Sequence, residues 1–101
     1  MSLVQLTLVA PSHLEEMLVE ALLAHPEWAS GFTLARAEGH GTRADALSVQ
    51  EQVRGRAERC EVQVVLEAEL ARALVDSLKQ ALPSRDIMYW ITPVAEIGRL
   101  A

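Results

Sequence analysis

Apolar and polar residues alternate in four short stretches of the chain, and this period of two is typical of half-buried β-strands. The pattern predicts strands over residues 3–9, 32–38, 60–66 and 86–92. Between the first two strands, and again between the last two, apolar residues recur every three or four positions instead. That spacing predicts two amphipathic helices, so the element order is β-α-β-β-α-β.

Each predicted helix carries one stripe of leucines and ends before a proline. Ser12 and Glu15 have the spacing of a capping box at the start of the first helix, and Pro26 and Pro83 end the two helices. The stripes consist of Leu14, Leu18, Leu22, Leu70, Leu74 and Leu78.

The two halves of the chain repeat one another when 56 is added to each position. Leu18 then corresponds to Leu74, and Leu34 corresponds to Trp90, which places Trp90 on the core face of the last strand. Such halves predict an α+β, ferredoxin-like β-α-β-β-α-β sandwich. In this fold a four-stranded antiparallel sheet carries two helices on one face, because both crossovers are right-handed.

The face of the sheet away from the helices is predicted to be mixed in polarity. This mixture favours packing against another subunit, although a solvated antiparallel face is the alternative. The predicted members are Gln5, Thr7, Val9, Thr33, Ala35, Ala37, Glu61, Gln63, Val65, Tyr89 and Ile91.

The length of 101 residues predicts one domain, spanning residues 1–101. Within it, residues 40–57 form a polar, aperiodic stretch that is long for a loop in so small a domain, and such loops usually carry function. The sequence also allows a short helix over residues 44–52. Residues 94–100 are expected to form a tail that adds an edge strand or packs on a neighbour.

The net charge of −5 argues against nucleic-acid binding, because phosphate contacts need clustered lysines and arginines. One cysteine excludes an internal disulfide and fits a reducing compartment. No run of 18 apolar residues occurs, so we expect a cytoplasmic protein without direct membrane insertion.

Motifs for chemistry are few. The chain has no Walker A loop, no G-x-G-x-x-G and no C-x-x-C, and no Ser, His and carboxylate are spaced to suggest a nucleophile. The most suggestive stretch is Gly39-His40-Gly41, where glycines let the backbone turn and approach a ligand. His40 is either a metal ligand or titrating group, or an exposed side chain in a turn.

Two motifs resemble those of a known family. Residues 31–41, G-F-T-L-A-R-A-E-G-H-G, resemble the PII pattern G-[MF]-T-V-x-x-V-x-G-x-G without a gap, and residues 92–100, T-P-V-A-E-I-G-R-L, resemble its closing S-P-V-x-x-x-x-R-[IL]. The chain is thus similar to the PII-like (GlnB-like) family. It is most similar to divergent members of unknown function, some of which are linked to heavy-metal efflux systems.

The resemblance implies a homotrimer in which effectors, classically adenine nucleotides, bind in clefts between subunits. The T-loop-like segment 40–57 would then signal to a partner protein, such as a membrane transporter. The family's phosphate-gripping loop is reduced here to residues 83–86, so Arg43, Arg85 and Arg99 are the candidate sources of positive charge. By motif match the cleft would be lined by Thr33, Gly39, His40, Gly41, Val65 and Arg99.

Three hypotheses about function are compatible with the sequence. The leading one is a trimeric sensor that binds an adenine nucleotide or a divalent metal ion. The second is a metal-binding trimer resembling CutA metal-tolerance proteins, with His40 as the ligand, and the third is a protein-interaction module without a ligand. An enzyme of the acylphosphatase type would need an asparagine, and the sequence contains none, so we expect no enzyme.

Overall fold

The computed structural model describes residues 2–29, 31–39 and 57–101. Its elements follow the predicted β-α-β-β-α-β order, with one 3₁₀ turn added before the first helix. The suggested helix over residues 44–52 lies outside the described residues. The elements are β1 (Leu3–Pro11), the 3₁₀ turn (Ser12–Leu14), α1 (Glu15–Leu23), β2 (Thr33–Gly39), β3 (Ala57–Glu67), α2 (Ala68–Ala81) and β4 (Met88–Pro93).

The four strands form one antiparallel sheet in the order β2-β3-β1-β4. The two longest strands, β1 and β3, lie in the centre and pair from Leu3 opposite Glu67 to Pro11 opposite Arg59. Both helices pack on one face of this sheet, as the right-handed crossovers require. The ferredoxin-like α+β fold is therefore confirmed.

The core lies between the sheet and the helices. Leu6 and Val64 point from the central strands toward Leu18 of α1 and Leu74 of α2, and all four side chains are almost completely buried. Burying each leucine contributes roughly 1.5–3 kcal/mol, so the predicted leucine stripes supply much of the stability. Among the stripe residues, Leu14 and Leu70 are only partly buried, at the ends of their helices.

The predicted facing of the last strand is wrong. In the pairing of β1 with β4, Leu6 lies opposite Ile91 and Thr7 lies opposite Trp90. Paired residues point to the same face of a sheet, so Ile91 points to the core and Trp90 to the other side. The 56-residue repeat is therefore out of register by one residue in β4.

The first helix begins differently from the expectation. The chain enters it through the 3₁₀ turn, which takes Ser12 into the helical segment, and α1 itself begins at Glu15. No side-chain hydrogen bond caps either start, so the predicted capping box is wrong. None of the helices within the described parts of the chain is long and apolar enough to cross a membrane.

Candidate functional site

The face of the sheet without helices, here called the open face, carries Thr33 and Val65, two of the predicted effector-binding residues. Side chains of all four strands stand on it in rows, because the strands pair in register. One row runs across the whole sheet. It consists of Thr33, Gln63, Thr7 and Trp90.

Two further rows flank the first one on the open face. Ala35, Glu61, Val9 and Met88 form one of them, and Val65, Gln5 and Thr92 form the other. Large apolar side chains in these rows stay in contact with solvent. Met88 is 61% exposed, Trp90 is 45% exposed and Val65 is 39% exposed.

Hydrogen bonds between residues two apart fix the polar side chains of this face. The Gln5 Nε2 donates to Thr7 Oγ1 at 3.3 Å, and the Gln63 Nε2 donates to Glu61 Oε1 at 3.0 Å. These bonds run along a strand and use donors that would otherwise point outward. The open face therefore exposes a tryptophan and a methionine. The side-chain amides of Gln5 and Gln63 beside them already donate hydrogen bonds within the face.

The structure brings Thr33 and Val65 close to one another. Both point to the open face on adjacent strands, since Thr33 lies opposite Gln63, two residues before Val65. Gly39 lies six residues further along β2, or about 20 Å away at the usual rise of a strand. Arg99 lies in the exposed tail that follows β4.

The remaining predicted site residues, His40, Gly41 and Arg43, lie outside the described residues, and so does most of the segment 40–57. Arg85, which sequence analysis offered as a source of charge for the cleft, lines a cavity on the helix side of the sheet instead. Within the ranges that the structure describes, no group of three or more His, Cys, Asp and Glu side chains is placed to hold a metal ion.

Gly39 has a structural role at the end of its strand. It is the last residue of β2 and pairs with Ala57. The side chain of Arg59, two residues on in β3, lies where a Cβ on Gly39 would be. Glycine therefore allows Arg59 to cover the end of β2, and Arg59 places a cation beside Gly39 that the family motif does not indicate.

Cys60 is fully buried on the core side of β3. Burial raises the pKa of its thiol by disfavouring the thiolate, and the nearby carboxylate of Glu15 raises the pKa further. Arg36 opposes this in part, and its guanidinium lies 3.7 Å from the Glu15 carboxylate. A thiol with a raised pKa is a poor nucleophile, so Cys60 is a structural residue of the core.

A cluster around His25 was not predicted. The Ser77 Oγ lies 2.7 Å from His25 Nε2, and the Glu27 carboxylate lies 3.5 Å from His25 Nδ1. The imidazole also stacks on Trp28, with ring centroids 4.7 Å apart. These contacts bring a serine, a histidine and a carboxylate together, although their spacing in the sequence does not suggest a nucleophile.

The geometry of this cluster suits a tether better than catalysis. The distance between Nδ1 and the carboxylate exceeds that of a strong hydrogen bond, and Ser77 lies inside a helix. The cluster connects the segment after α1 to α2, which stand 52 residues apart in sequence. No local sequence motif predicts such a contact, so only the packing of the two helices reveals it.

The family model for DUF3240, described as a protein of unknown function, matches residues 1–101 of this chain. The chain belongs to the DUF3240 family. A DUF3240 family protein from Shewanella baltica OS155 has a similar structure, with a TM-score of 0.77 and 24% identity over 100% of this chain and 99% of that one. A comparison with curated proteins finds no match.

Solved structures of PII-like signalling proteins are similar as well. A putative PII-like signalling protein from Thermus thermophilus has a TM-score of 0.63 and 24% identity, over 93% of this chain and 91% of its own. CPII, a nitrogen regulatory PII-like protein from Thiomonas intermedia K12, has a TM-score of 0.71 and 14% identity, over 100% and 98%. The fold of this DUF3240 chain is therefore that of PII-like proteins, and the resemblance seen in the sequence is confirmed.

Proposed function

We propose that this protein is a PII-like regulatory trimer that binds a small effector in clefts between its subunits. In this proposal residues 1–101 form one domain, and residues 40–57 report the bound state to a partner protein. The protein acts as a sensor and not as an enzyme. The expected partner, a membrane transporter or another protein, is inferred from the family resemblance. The single cysteine suits a cytoplasmic location.

The observation that carries the proposal is the open face of the sheet. Trp90, Met88 and Val65 expose a large apolar area next to amides that are already hydrogen-bonded. Exposed apolar patches of this kind on small domains mark protein interfaces. A closed assembly of identical subunits buries the face of every copy, and a domain of 101 residues gains the most from such added burial.

The position of the site residues supports a cleft between two chains. Thr33 and Gly39 lie about 20 Å apart along one strand, which is too far for both to contact one small effector in the same subunit. A second subunit packed on the open face brings its own copy of one residue toward the other. An effector would then be bound only by the assembled protein.

Adenine nucleotides are the effector class that we favour. The structure of CPII, which shares the fold, is bound to ADP, AMP and bicarbonate. In this chain Arg59 places a guanidinium beside Gly39, and arginine is well suited to phosphate groups. A divalent metal ion held by His40 is the alternative effector.

Light scattering and calorimetry test the proposal together. We expect a mass three times the chain mass of 11.1 kDa and saturable heat on titration with ADP or AMP. The Thr33→Ala variant should bind nucleotide more weakly, because it removes an exposed hydroxyl from the site. The matched control is Thr92→Ala, which removes the same group from the opposite edge of the open face.

The outcome decides between the readings. A monomer, or a trimer that binds neither nucleotide, defeats the nucleotide-sensor proposal. Titration of that trimer with Zn²⁺ then distinguishes a metal-binding trimer, which binds the ion, from an interaction module, which does not. Loss of Zn²⁺ binding in His40→Ala, with an unchanged mass, would assign the metal to His40.

A further inference from the structure

A cavity of about 370 Å³ opens on the helix side of the sheet, on the opposite side from Thr33 and Val65. It lies between α1, the end of α2, the 83–86 turn and β4. Its size falls within the range of small-molecule sites. The lining residues are Leu8, Leu18, Val75, Leu78, Lys79, Leu82, Pro83, Ser84, Arg85, Ile87 and Tyr89.

The wall of the cavity is apolar and partly open to solvent. Leu8, Leu18 and Val75 form its buried side, whereas Leu82 and Ile87 are only partly buried. The register of β4 explains the opening, because it directs Tyr89 to the helix side at the edge of the sheet, where 42% of the residue stays exposed. The apolar part of a small ligand, with one or two rings, would cover this surface.

Two cations stand at the cavity. The Lys79 Nζ lies 5.4 Å from the centroid of the Tyr89 ring, and Arg85 belongs to the turn that closes the cavity. Across the described part of the chain, neither has a carboxylate within 4.0 Å. The Ser84 hydroxyl is already used, since it accepts a hydrogen bond from the Asp86 N–H at 3.2 Å.

We propose that this cavity binds a small amphipathic anion with an apolar or aromatic body and one carboxylate. The body fills the leucine-lined wall, and the carboxylate pairs with Lys79 and Arg85. Charged hydrogen bonds at the edge of an apolar cavity are stronger than those in open water. Since the chain as a whole carries a charge of −5, these two local cations, and not the net charge, provide the attraction.

The site differs from the proposed nucleotide cleft in location and in what it requires. It lies on the other face of the sheet and is complete within one chain. Binding here therefore does not depend on a trimer, and the two proposals succeed or fail separately.

Two probes that differ only in the head group test the inference. They are 1-naphthylacetate and its neutral amide, 1-naphthylacetamide, titrated into the full chain by calorimetry and by methyl-group NMR. We expect one molecule of 1-naphthylacetate to bind per chain, at least tenfold more tightly than the amide. Its binding should shift the NMR signals of the methyl groups of Leu18, Val75 and Leu78. The doubly substituted Lys79→Gln, Arg85→Gln chain should bind both probes with the same, weaker affinity.

Site-filling variants provide the control. Leu82→Trp places an indole at the cavity and should abolish binding of both probes, whereas Leu23→Trp, on the exposed side of α1, should leave binding unchanged. Equal affinity of the wild-type chain for the two probes overturns the inference, and so do shifts confined to the open face around Trp90. Absence of any binding overturns the inference too. This includes the case in which a second copy of the chain covers the cavity, which a lower assembly mass of the Leu82→Trp variant in light scattering would reveal.

Discussion

The side chain of Cys60 lies in the centre of the sheet, between β1 and the edge strand β2. Its neighbours across the ladder are Ala10 on one side and Arg36 on the other. Burial keeps the thiol neutral, and its raised pKa follows from the desolvation of the thiolate and then from the charge of Glu15. The residue is thus a small apolar group of the core at neutral pH.

We predict that alkaline pH destabilises the protein through Cys60. An unfolded thiol loses its proton near a pKa of about 8.5, while the native thiol, with its raised pKa, keeps it. The unfolded state then binds fewer protons, so the free energy of unfolding falls as pH rises above that value, by at most about 1.4 kcal/mol per pH unit. Urea unfolding between about pH 7 and 10 measures this change.

Comparison of Cys60→Ala with Val64→Ala separates the effect of the titrating thiol from the effect of lost core volume. Both variants lose core volume and stability, but only Val64→Ala keeps the titrating group. We expect Val64→Ala to lose stability with pH like the wild type, and Cys60→Ala to lose less. A thiol reagent that modifies the native protein as fast as the unfolded chain would contradict the buried position.

The end of β2 supplies a second prediction at this scale. A methyl group on Gly39 meets the side chain of Arg59, and because this long side chain can move aside, Gly39→Ala should cost at most about 1 kcal/mol of unfolding free energy, less than overpacking in a core. Shortening the neighbour in the double variant Gly39→Ala, Arg59→Ala should recover part of that loss. Thermal or urea unfolding of the three variants provides the comparison.

Gly31→Ala is the matched control, because no atom lies within 4 Å of a Cβ at that position. It should leave the stability unchanged or slightly higher. Equal costs at Gly31 and Gly39 would mean that the contact with Arg59 has no energetic weight.

At the scale of elements, the register of β4 explains both faces of the sheet. Met88, Tyr89, Trp90 and Ile91 are all apolar, so the alternation within the strand does not say which residues face the core. The pairing with β1 decides it: Leu6 is opposite Ile91, and Thr7 is opposite Trp90. A shift of one residue exchanges the two faces, which is why the facing of Trp90 was predicted wrongly.

The contact between the segment after α1 and the helix α2 gives a prediction for these elements. A double-mutant cycle with His25→Gln and Ser77→Ala should show a coupling of about 1 kcal/mol, the usual net value of a hydrogen bond. The cycle cancels the higher helix propensity of alanine at position 77. Urea unfolding of the wild type and three variants yields the coupling.

The cycle formed with Asp76→Ala instead of Ser77→Ala is the control, since Asp76 is the exposed neighbour of Ser77 on the same helix. Its coupling with His25→Gln should be close to zero. If the two cycles give the same coupling, the hydrogen bond does not hold the segment to α2.

At the scale of the whole molecule, the open face is expected to hold the subunits together. We predict that Trp90→Glu converts the proposed trimer to monomers, because it would place a charge in the apolar interface proposed for the open face. Since the proposed cleft needs two chains, the same variant should bind ADP at least tenfold more weakly. Light scattering reports the mass, and calorimetry reports the affinity.

Leu23→Glu provides the control for this experiment. Leu23 is 62% exposed on α1, in the helical layer and away from the open face, so the substitution adds the same charge without touching the expected interface. It should leave both mass and affinity unchanged. A monomeric Trp90→Glu chain with undiminished ADP affinity would contradict a cleft between subunits.

Much of the fold was predictable because its signals are local. Strand alternation and the leucine stripes found the four strands and two helices of the described residues, since each pattern depends on residues a few positions apart. The two PII-like motifs likewise pointed to the family that the comparisons support. In contrast, the cavity beside Tyr89 and the cluster of His25 and Ser77 carry no local pattern, because their members come from distant parts of the chain.

The sequence by itself determined the order of the elements, the residues of the core stripes and the family. These follow from hydrophobic periodicity and from short motifs, which are properties of neighbouring residues. Only the tertiary structure decided which side of β4 faces the helices, that Arg59 covers Gly39, and that Lys79 and Arg85 stand at an apolar cavity. Each of these depends on strand register or helix packing, where one residue of displacement brings different side chains together.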